Sequence, residues 1–187
     1  MKHRILIVFV EACLMFAISI RAQSPQSDGS YESAIASLSE NSDAARVARA
    51  IAVLESAGTK AFPALLAHLN DTARASVVFQ RAVMEVDEKG NVIGVHHPTI
   101  GEACFGLIQG QIEGNGPKGF REYYVLSPKN VGSWWQARKA KPLKELQLET
   151  AQASLTQARQ RRGKSGYSLE AVQFLEGHLR ELKISKK

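Results

Sequence analysis

The stretch "ARVARAIAVLESAGTKAFPALLAHLND", residues 45–71, contains two apolar stripes with helical spacing, separated by a glycine. Asp43 just before it is a typical helix N-cap. Gly58 is typical of a helix C-terminus, because glycine tolerates a left-handed backbone. Pro63 falls in the first turn of the second stripe, where proline removes no helical hydrogen bond. The stretch therefore predicts two consecutive helices that form a hairpin with almost no loop.

This hairpin, residues 43–70, resembles a HEAT-type repeat, with an alanine-rich first helix, a glycine turn and an A-x-P-x-L-L-x-x-L second helix. The resemblance implies stacked helical hairpins that bind partners, usually without catalysis. Residues 101–149, with "GEACFGLIQGQIEG", "YYVLSPKNVGSWW" and "LKELQLE", are also similar to exported bacterial proteins of an uncharacterised family. That second resemblance implies no activity.

Apolar periodicity along the rest of the chain predicts further helices. They are expected at Tyr31–Leu38, from Thr99, from Ser127–Pro128, from Leu143 to about Arg162, and from Ser168 with Leu169, Val172, Leu175, Leu179 and Leu182 inward. The β-branched residues between 76 and 97, with a turn at 87–91, predict a two-stranded hairpin. The fold class is therefore mostly α, with stacked HEAT-like helical hairpins and one small β-hairpin insertion. We expect one α-helical domain at residues 31–185, after a flexible segment at 23–30.

The first 22 residues have the pattern of a signal peptide, with a basic start, an apolar run from Ile5 to Ile20 and a small residue, Ala22, at the cleavage position. The run is too short to cross a bilayer core of ~30 Å at ~1.5 Å per residue. We expect no later segment to be long enough, and therefore no membrane span after the signal is removed. The protein is predicted to be exported, to the periplasm or the extracellular space. Cys13 is a poor lipoprotein site because Glu11 precedes it, and lipid anchoring there stays open.

The chain is basic, with a formal net charge of +6 at pH 7. Removing residues 1–22 takes away three basic residues and one acidic residue, which lowers the charge to +4. The remaining basic residues concentrate after Lys118. Export favours a protein or an anionic cell-envelope component as partner over nucleic acid, with solvated helix faces as the alternative explanation.

Cys104 is the one cysteine left after the signal is removed, so no internal disulfide can form. A hydrolase-type site would place His97, Glu102 and Cys104 around one cleft. However, Thr99 and Glu102 match a capping box, which gives Glu102 a structural role. Cys104 lies at the centre of the apolar arc of its helix, where aliphatic neighbours raise the pKa of a thiol. We therefore predict a buried cysteine and no enzyme. Small residues on a neighbouring side, Ala103, Gly106 and Gly110, allow another helix to approach closely.

Metal and cofactor motifs are not found in the sequence. His96 and His97 are adjacent and would point to opposite faces of a strand, so they would not chelate one ion together. A metal site would need Glu102, His68 or His178 brought in by the fold, and no ligand spacing typical of zinc is present. The P-loop, G-x-S-x-G, H-E-x-x-H and dinucleotide motifs are also missing. We predict no catalytic residues, no metal and no cofactor.

The aromatic stretch "GFREYYVLSPKNVGSWW" within residues 119–135 is the densest unusual feature in a chain that is otherwise poor in aromatics. Such residues suit glycans and peptide partners, and basic neighbours add affinity for anions. The candidate binding residues are Tyr123, Tyr124, Trp134, Trp135, Arg138 and Lys139. The alternative is that at least one tryptophan and one tyrosine fill the core.

Taken together, these patterns predict a non-catalytic exported helical-repeat protein that binds a protein or cell-envelope partner. The alternatives are a hydrolase-type enzyme using His97, Glu102 and Cys104, and a glycan-binding module using the aromatic patch at residues 120–135.

Overall fold

The structure, a computed structural model, describes residues 28–76, 83–86, 92–114, 122–161 and 168–184. The predicted signal peptide, Cys13 and residues 23–27 lie outside this part. The described residues are mostly α-helical, as the sequence predicts. Their helices are α1 (Asp28–Ala36), α2 (Ala44–Ala57), α3 (Phe62–Ala67), α4 (Ile100–Glu113), α5 (Val131–Gln136), α6 (Leu143–Gln160) and α7 (Ser168–Ile184).

Helix α2 begins and ends where the sequence indicates, whereas α3 ends at Ala67, before the end of the hairpin predicted at residues 43–70. The Asp43 carboxylate accepts a hydrogen bond from the backbone N–H of Arg46 at 2.8 Å, which caps α2. Gly58 ends α2 with φ 58° and ψ −136°, a positive φ that favours glycine. A 3-10 turn, Gly58–Ala61, leads directly into α3, and Pro63 lies in the first turn of α3. Both helices contact α1 and α4, and the 3-10 turn joins them. The HEAT-like stacking of helical hairpins stays a prediction.

The continuous helical segment Ala44–Ala67 is long and apolar enough to cross a membrane by length and composition, with 24 residues and a mean hydropathy of 1.3 over its most apolar window. The expectation that no segment after residue 22 is long enough was therefore wrong by this criterion. The same segment supplies Val47, Leu54 and Phe62 to the protein core, where each is fully buried. The lack of a membrane span stays a prediction.

Helix α4 occupies the centre of the main hydrophobic cluster and contacts α2, α3 and α6. Its buried residues are Ile100, Gly101, Ala103, Cys104, Leu107, Ile108, Ile112 and Glu113. The apolar residues predicted for α1, Tyr31, Ile35 and Leu38, are buried in the same cluster. The apolar periodicity of the sequence therefore identifies most of this core.

An extended segment, residues 71–76, runs between the end of α1 and the start of α4. On one side, the N–H of Glu40 donates to the carbonyl of Arg74 at 3.0 Å. On the other, the N–H of Ile100 donates to the carbonyl of Ala73 and the N–H of Ala75 to that of Pro98, both at 2.8 Å. These bonds pair backbone groups outside the helices and hold α4 against the N-terminal helices.

Gly101 allows α4 to lie directly against the backbone that follows α3. A Cβ atom at this position would collide with the carbonyl oxygen of Leu69 and lie 3.1 Å from that of Asp71. The N–H of Gly101 also donates to the carbonyl of Asp71 at 2.9 Å. No side chain larger than hydrogen fits here unless the backbone moves.

A second, smaller hydrophobic cluster joins α6 to α7. Its buried residues are Tyr123, Ala151, Leu155, Ala158, Ala171, Val172, Leu175 and Leu179. Helix α6 serves both clusters, because Leu146 near its start is buried with α4 and Leu155 near its end is buried with α7. The inward positions predicted for α7 are confirmed at Val172, Leu175 and Leu179, whereas Leu169 is exposed.

The buried carboxylate of Glu113, at the end of α4, fixes the chain that follows. It accepts hydrogen bonds from the backbone N–H groups of Val125 at 2.5 Å and Leu126 at 3.1 Å, and from the amide of Gln109 at 3.1 Å. Burial raises the pKa of Glu113, and these hydrogen bonds oppose that effect. The carboxylate supplies acceptors to backbone groups that would otherwise be unpaired.

Two local predictions differ from the structure. Helix α5 begins at Val131 rather than at Ser127–Pro128, because the Asn130 side chain accepts from the N–H of Ser127 at 2.8 Å and closes a turn there. Helix α1 begins at Asp28, inside the segment expected to be flexible. Strands β1 (Val83–Val86) and β2 (Val92–His96) pair antiparallel. The predicted turn at residues 87–91 lies outside the described residues, so the hairpin stays a prediction.

Replacement of Gly101 by alanine should lower the free energy of unfolding by about 1–3 kcal/mol, because the added methyl group has no space against Leu69. Gly106→Ala is the matched control, since a Cβ there meets nothing within 4 Å. Alanine favours the helix over glycine, so the control should gain roughly 0.5–1 kcal/mol. Urea denaturation of both variants measures the difference. Equal effects of the two substitutions would contradict the close backbone contact.

Replacement of Glu113 by alanine should lower the free energy of unfolding by about 2–4 kcal/mol, because two backbone N–H groups lose their acceptor. Glu113→Gln keeps a side-chain carbonyl oxygen in place and should cost less than half as much. Thermal and urea unfolding of the two variants test this. A glutamine variant as unstable as the alanine variant would show that the acceptor role is not what matters.

Candidate functional site

Cys104 does not have the surroundings of a reactive thiol. Its side chain is fully buried in α4, in the main hydrophobic cluster. Burial raises the pKa of the thiol to about 12, and the negative charges of Asp71 and Glu32 add to this effect. A thiolate is the nucleophilic form, so Cys104 is unreactive near neutral pH.

The other two residues of the hydrolase hypothesis are not brought into contact with this sulfur. Glu102 completes the predicted capping box: its carboxylate accepts from the N–H of Thr99 at 2.8 Å, and the Thr99 hydroxyl accepts from the N–H of Glu102 at 3.2 Å. His97 is exposed, whereas Cys104 has no exposed surface. Within the described part of the chain, no hydrogen bond joins Cys104 to either residue.

His68, which the sequence named only as a residue that a metal site would need, lies between two carboxylates. His68 Nε2 is 2.8 Å from a carboxylate oxygen of Glu32, and Nδ1 is 3.4 Å from one of Asp71. The hydrogen bond to Glu32 is the main reason why the pKa of His68 is raised; partial burial opposes it and Asp71 adds to it. The His68–Asp71 spacing is visible in the sequence, but the approach of Glu32 from α1 is not. Among the described residues, no group of three or more His, Cys, Asp or Glu side chains is placed to hold a metal ion.

The aromatic candidates pack inward. Tyr123 is fully buried between α6 and α7, and Trp134 and Trp135 are buried in the main cluster. Trp135 meets Phe62 edge to face, with ring centroids 5.1 Å apart. Tyr124 is half-buried, and its hydroxyl donates to the carbonyl of Gly114 at 3.2 Å. The structure therefore places these side chains as the packing interpretation expects, and offers no open aromatic groove formed by them.

The basic candidates differ from each other. Arg138 Nε donates to Glu149 at 2.6 Å, and its guanidinium lies 5.1 Å from the ring centroid of Trp134. Lys141 also binds Glu149, at 2.7 Å, and its hydrogen bond is the main reason why the pKa of that carboxylate is lowered. Lys139 is exposed, and among the described residues it forms no ion pair. Arg138 is therefore part of a structural network. Of the two basic candidates, Lys139 is the one whose charge is available to a partner at the surface.

An open groove of about 400 Å³ lies between α2 and α4. Its floor includes the small-residue face noted in the sequence, namely Ala103, Gly106 and Gly110. The other lining residues are Ile51, Glu55, Pro98, Glu102, Leu107 and Gln111. The groove is mainly apolar and is open along one side, which is the shape expected of a site for an extended or helical segment rather than for a small enclosed substrate.

Two polar residues of this groove have unused hydrogen-bonding capacity. Glu55 is exposed and has no ion-pair partner in the described ranges. The side-chain nitrogen and oxygen of Gln111 are buried, and neither has a hydrogen-bond partner there. An unpaired buried amide costs roughly 1–3 kcal/mol, so hydrogen bonds from a partner to the Gln111 side chain would favour association.

Comparisons of the chain with protein-family models, with curated proteins and with solved structures give no match. The functional argument therefore depends on the fold and on the geometry of the sites described above.

Cys104 should react with a thiol reagent only when the protein unfolds, because its sulfur is buried and its pKa is high. A Cys13→Ser background removes the other thiol of the chain. Titration at neutral pH should show negligible reaction of the native protein and one reactive thiol per chain in urea. Rapid reaction without denaturant would restore the enzyme hypothesis.

Proposed function

We propose that this chain is an exported, non-catalytic binding protein of HEAT-like architecture. Its α2–α4 groove takes an apolar segment of a partner protein that carries a lysine or an arginine. The observation that carries this proposal is the open apolar groove on the small-residue face of α4.

The groove suits a polypeptide because glycines form part of its floor. Gly106 and Gly110 have no side chains, so a bound segment can come close to the α4 backbone. Ile51 and Leu107 supply apolar surface on the two helices. Burying that surface under a partner segment gives the main favourable free energy of association.

The charge of the groove selects a basic feature in the partner. The chain as a whole is basic, yet the charged residues that line the groove, Glu55 and Glu102, are acidic. Glu102 is already engaged in the capping box, so Glu55 is the carboxylate that would meet a partner cation. Such a contact at the rim would add to specificity and to the rate of association more than to affinity.

Gln111 adds a reason for the partner to be a peptide. An amide both donates and accepts, and the backbone of a peptide offers both complementary groups. A segment lying in the groove would relieve the unpaired Gln111 side chain if the side chain turns towards it. A purely apolar ligand would leave this side chain unsatisfied.

The N-terminal sequence and the HEAT resemblance support the rest of the proposal. Residues 1–22 have the pattern of an export signal, which makes an envelope or extracellular partner the relevant class. A single HEAT-like unit leaves one face without a neighbouring repeat, and such faces bind partners. The burial and high pKa of Cys104 favour binding over catalysis.

Filling the groove should weaken binding without harming the fold. Gly106→Leu places a side chain where a Cβ meets nothing within 4 Å, and Gly177→Leu makes the same change at an equally open glycine of α7. Peptides selected from a displayed random library on the wild-type protein should be apolar with a lysine or arginine. Their affinity, measured by fluorescence anisotropy, should fall at least about tenfold on Gly106→Leu and stay unchanged on Gly177→Leu.

Glu55→Gln tests the charge separately from the shape. The selected basic peptides should bind this variant a few times more weakly, and the difference should shrink as salt is added. Peptides that bind the Gly106→Leu variant as well as they bind the wild type would exclude the groove as the binding surface.

A further inference from the structure

A second cleft, of about 320 Å³, lies between α1 and α2. The polar residues that line it are Ser30, Ser33, Ser37, Arg46 and Arg49. Its apolar lining consists of Ala34, Ala50 and Val53. Ser30 and Ser33 are one turn apart on α1, and Ser37 directly follows that helix. Arg46 and Arg49 are one turn apart on α2, so serines and arginines line the same cleft from two helices. Among the described residues that line the cleft there is no carboxylate.

The side chain of Arg46 is held in place. Its Nε donates to the hydroxyl of Ser37 at 3.1 Å, and that hydroxyl donates in turn to the carbonyl of Ser33 at 2.9 Å. The nearby carboxylate of Asp43 is directed at the backbone N–H of Arg46, where it caps α2. Arg46 lines the cleft, and its remaining guanidinium N–H groups stay available as donors.

Neither Arg46 nor Arg49 forms an ion pair with any residue in the described part of the chain. Elsewhere, Arg138 binds Glu149 at 2.6 Å and Arg159 binds Glu176 at 2.8 Å. Two positive charges one turn apart on a helix repel each other. An anion between them would remove that repulsion.

We propose that this cleft binds a phosphate group. Guanidinium groups match the oxygens of a phosphate with paired N–H donors, and serine hydroxyls complete its shell of hydrogen bonds. Arg46 and Arg49 supply the charge, and Ser30 and Ser33 supply hydroxyl donors from the opposite wall. This site is separate from the α2–α4 groove, and it goes beyond the proposed peptide binding.

Inorganic phosphate is the direct probe, titrated into the full chain at constant ionic strength maintained with chloride. Calorimetry or NMR should show saturable binding. The Arg46→Gln/Arg49→Gln double variant should weaken it by about tenfold or more, since both charged donors are lost. Arg74→Gln is the matched control, because Arg74 is exposed and, like the other two, has no ion pair among the described residues. The control should bind phosphate as the wild type does.

Ser33→Asp gives an independent variant, because it places a carboxylate in the cleft at an exposed helical position. It should abolish phosphate binding while the circular dichroism spectrum and Tm stay close to those of the wild type. If the wild-type protein does not bind phosphate, the proposal is wrong. A loss that is equal in the Arg74→Gln control would also overturn it.

Two further arms identify the source of the phosphate. Vesicles of phosphatidylglycerol and of phosphatidylcholine test a lipid headgroup, and glycerol phosphate tests a soluble phosphate monoester. If the protein binds phosphatidylglycerol vesicles and free phosphate competes with that binding, the cleft binds a lipid headgroup. Binding of glycerol phosphate without vesicle binding supports the site with a soluble ligand. If the double variant still binds vesicles and the protein does not bind free phosphate, the cleft is not the phosphate-binding site.

Discussion

The close approach of α4 to the backbone that follows α3 is the contact on which the arrangement of the main cluster depends. It exists because residue 101 is a glycine, and the carbonyl groups of Leu69 and Asp71 occupy the space that a side chain would need. This contact fixes the start of α4, which has the most buried residues among the described helices. Once α4 is fixed there, Cys104 faces the interior, and the side that carries Gly106 is left open beside α2.

Helix α2 separates the two candidate binding surfaces. Val47, Ala50 and Leu54 form its core face, with the apolar groove on one side of that face and the phosphate cleft on the other. The two surfaces have opposite electrostatic character, since Glu55 belongs to the groove and Arg49 to the cleft. One rigid helix thus offers separate surfaces to an apolar basic segment and to an anion.

Local signals in the sequence predicted the local structure well. The cap at Asp43, the capping box at Thr99 and the burial of Cys104 depend on residues close in sequence, so spacing alone was enough. The paired arginines of α2 were missed, because their significance depends on serines that only the packing of α1 brings near. The aromatic stretch left two interpretations open, since burial depends on tertiary contacts such as that of Trp135 with Phe62.

The division of the hydrophobic residues into two clusters has a consequence for the dynamics of the protein. In the part of the chain that the structure describes, the buried apolar residues of α7 pack against α6 and Tyr123, and none of them belongs to the cluster around α4. The detachment of α7 would therefore expose one small cluster and leave the other intact. Local opening of this kind requires less free energy than global unfolding. Amide hydrogens of α7 would then exchange with solvent through a sub-global fluctuation. Those of α4 would exchange only through global unfolding.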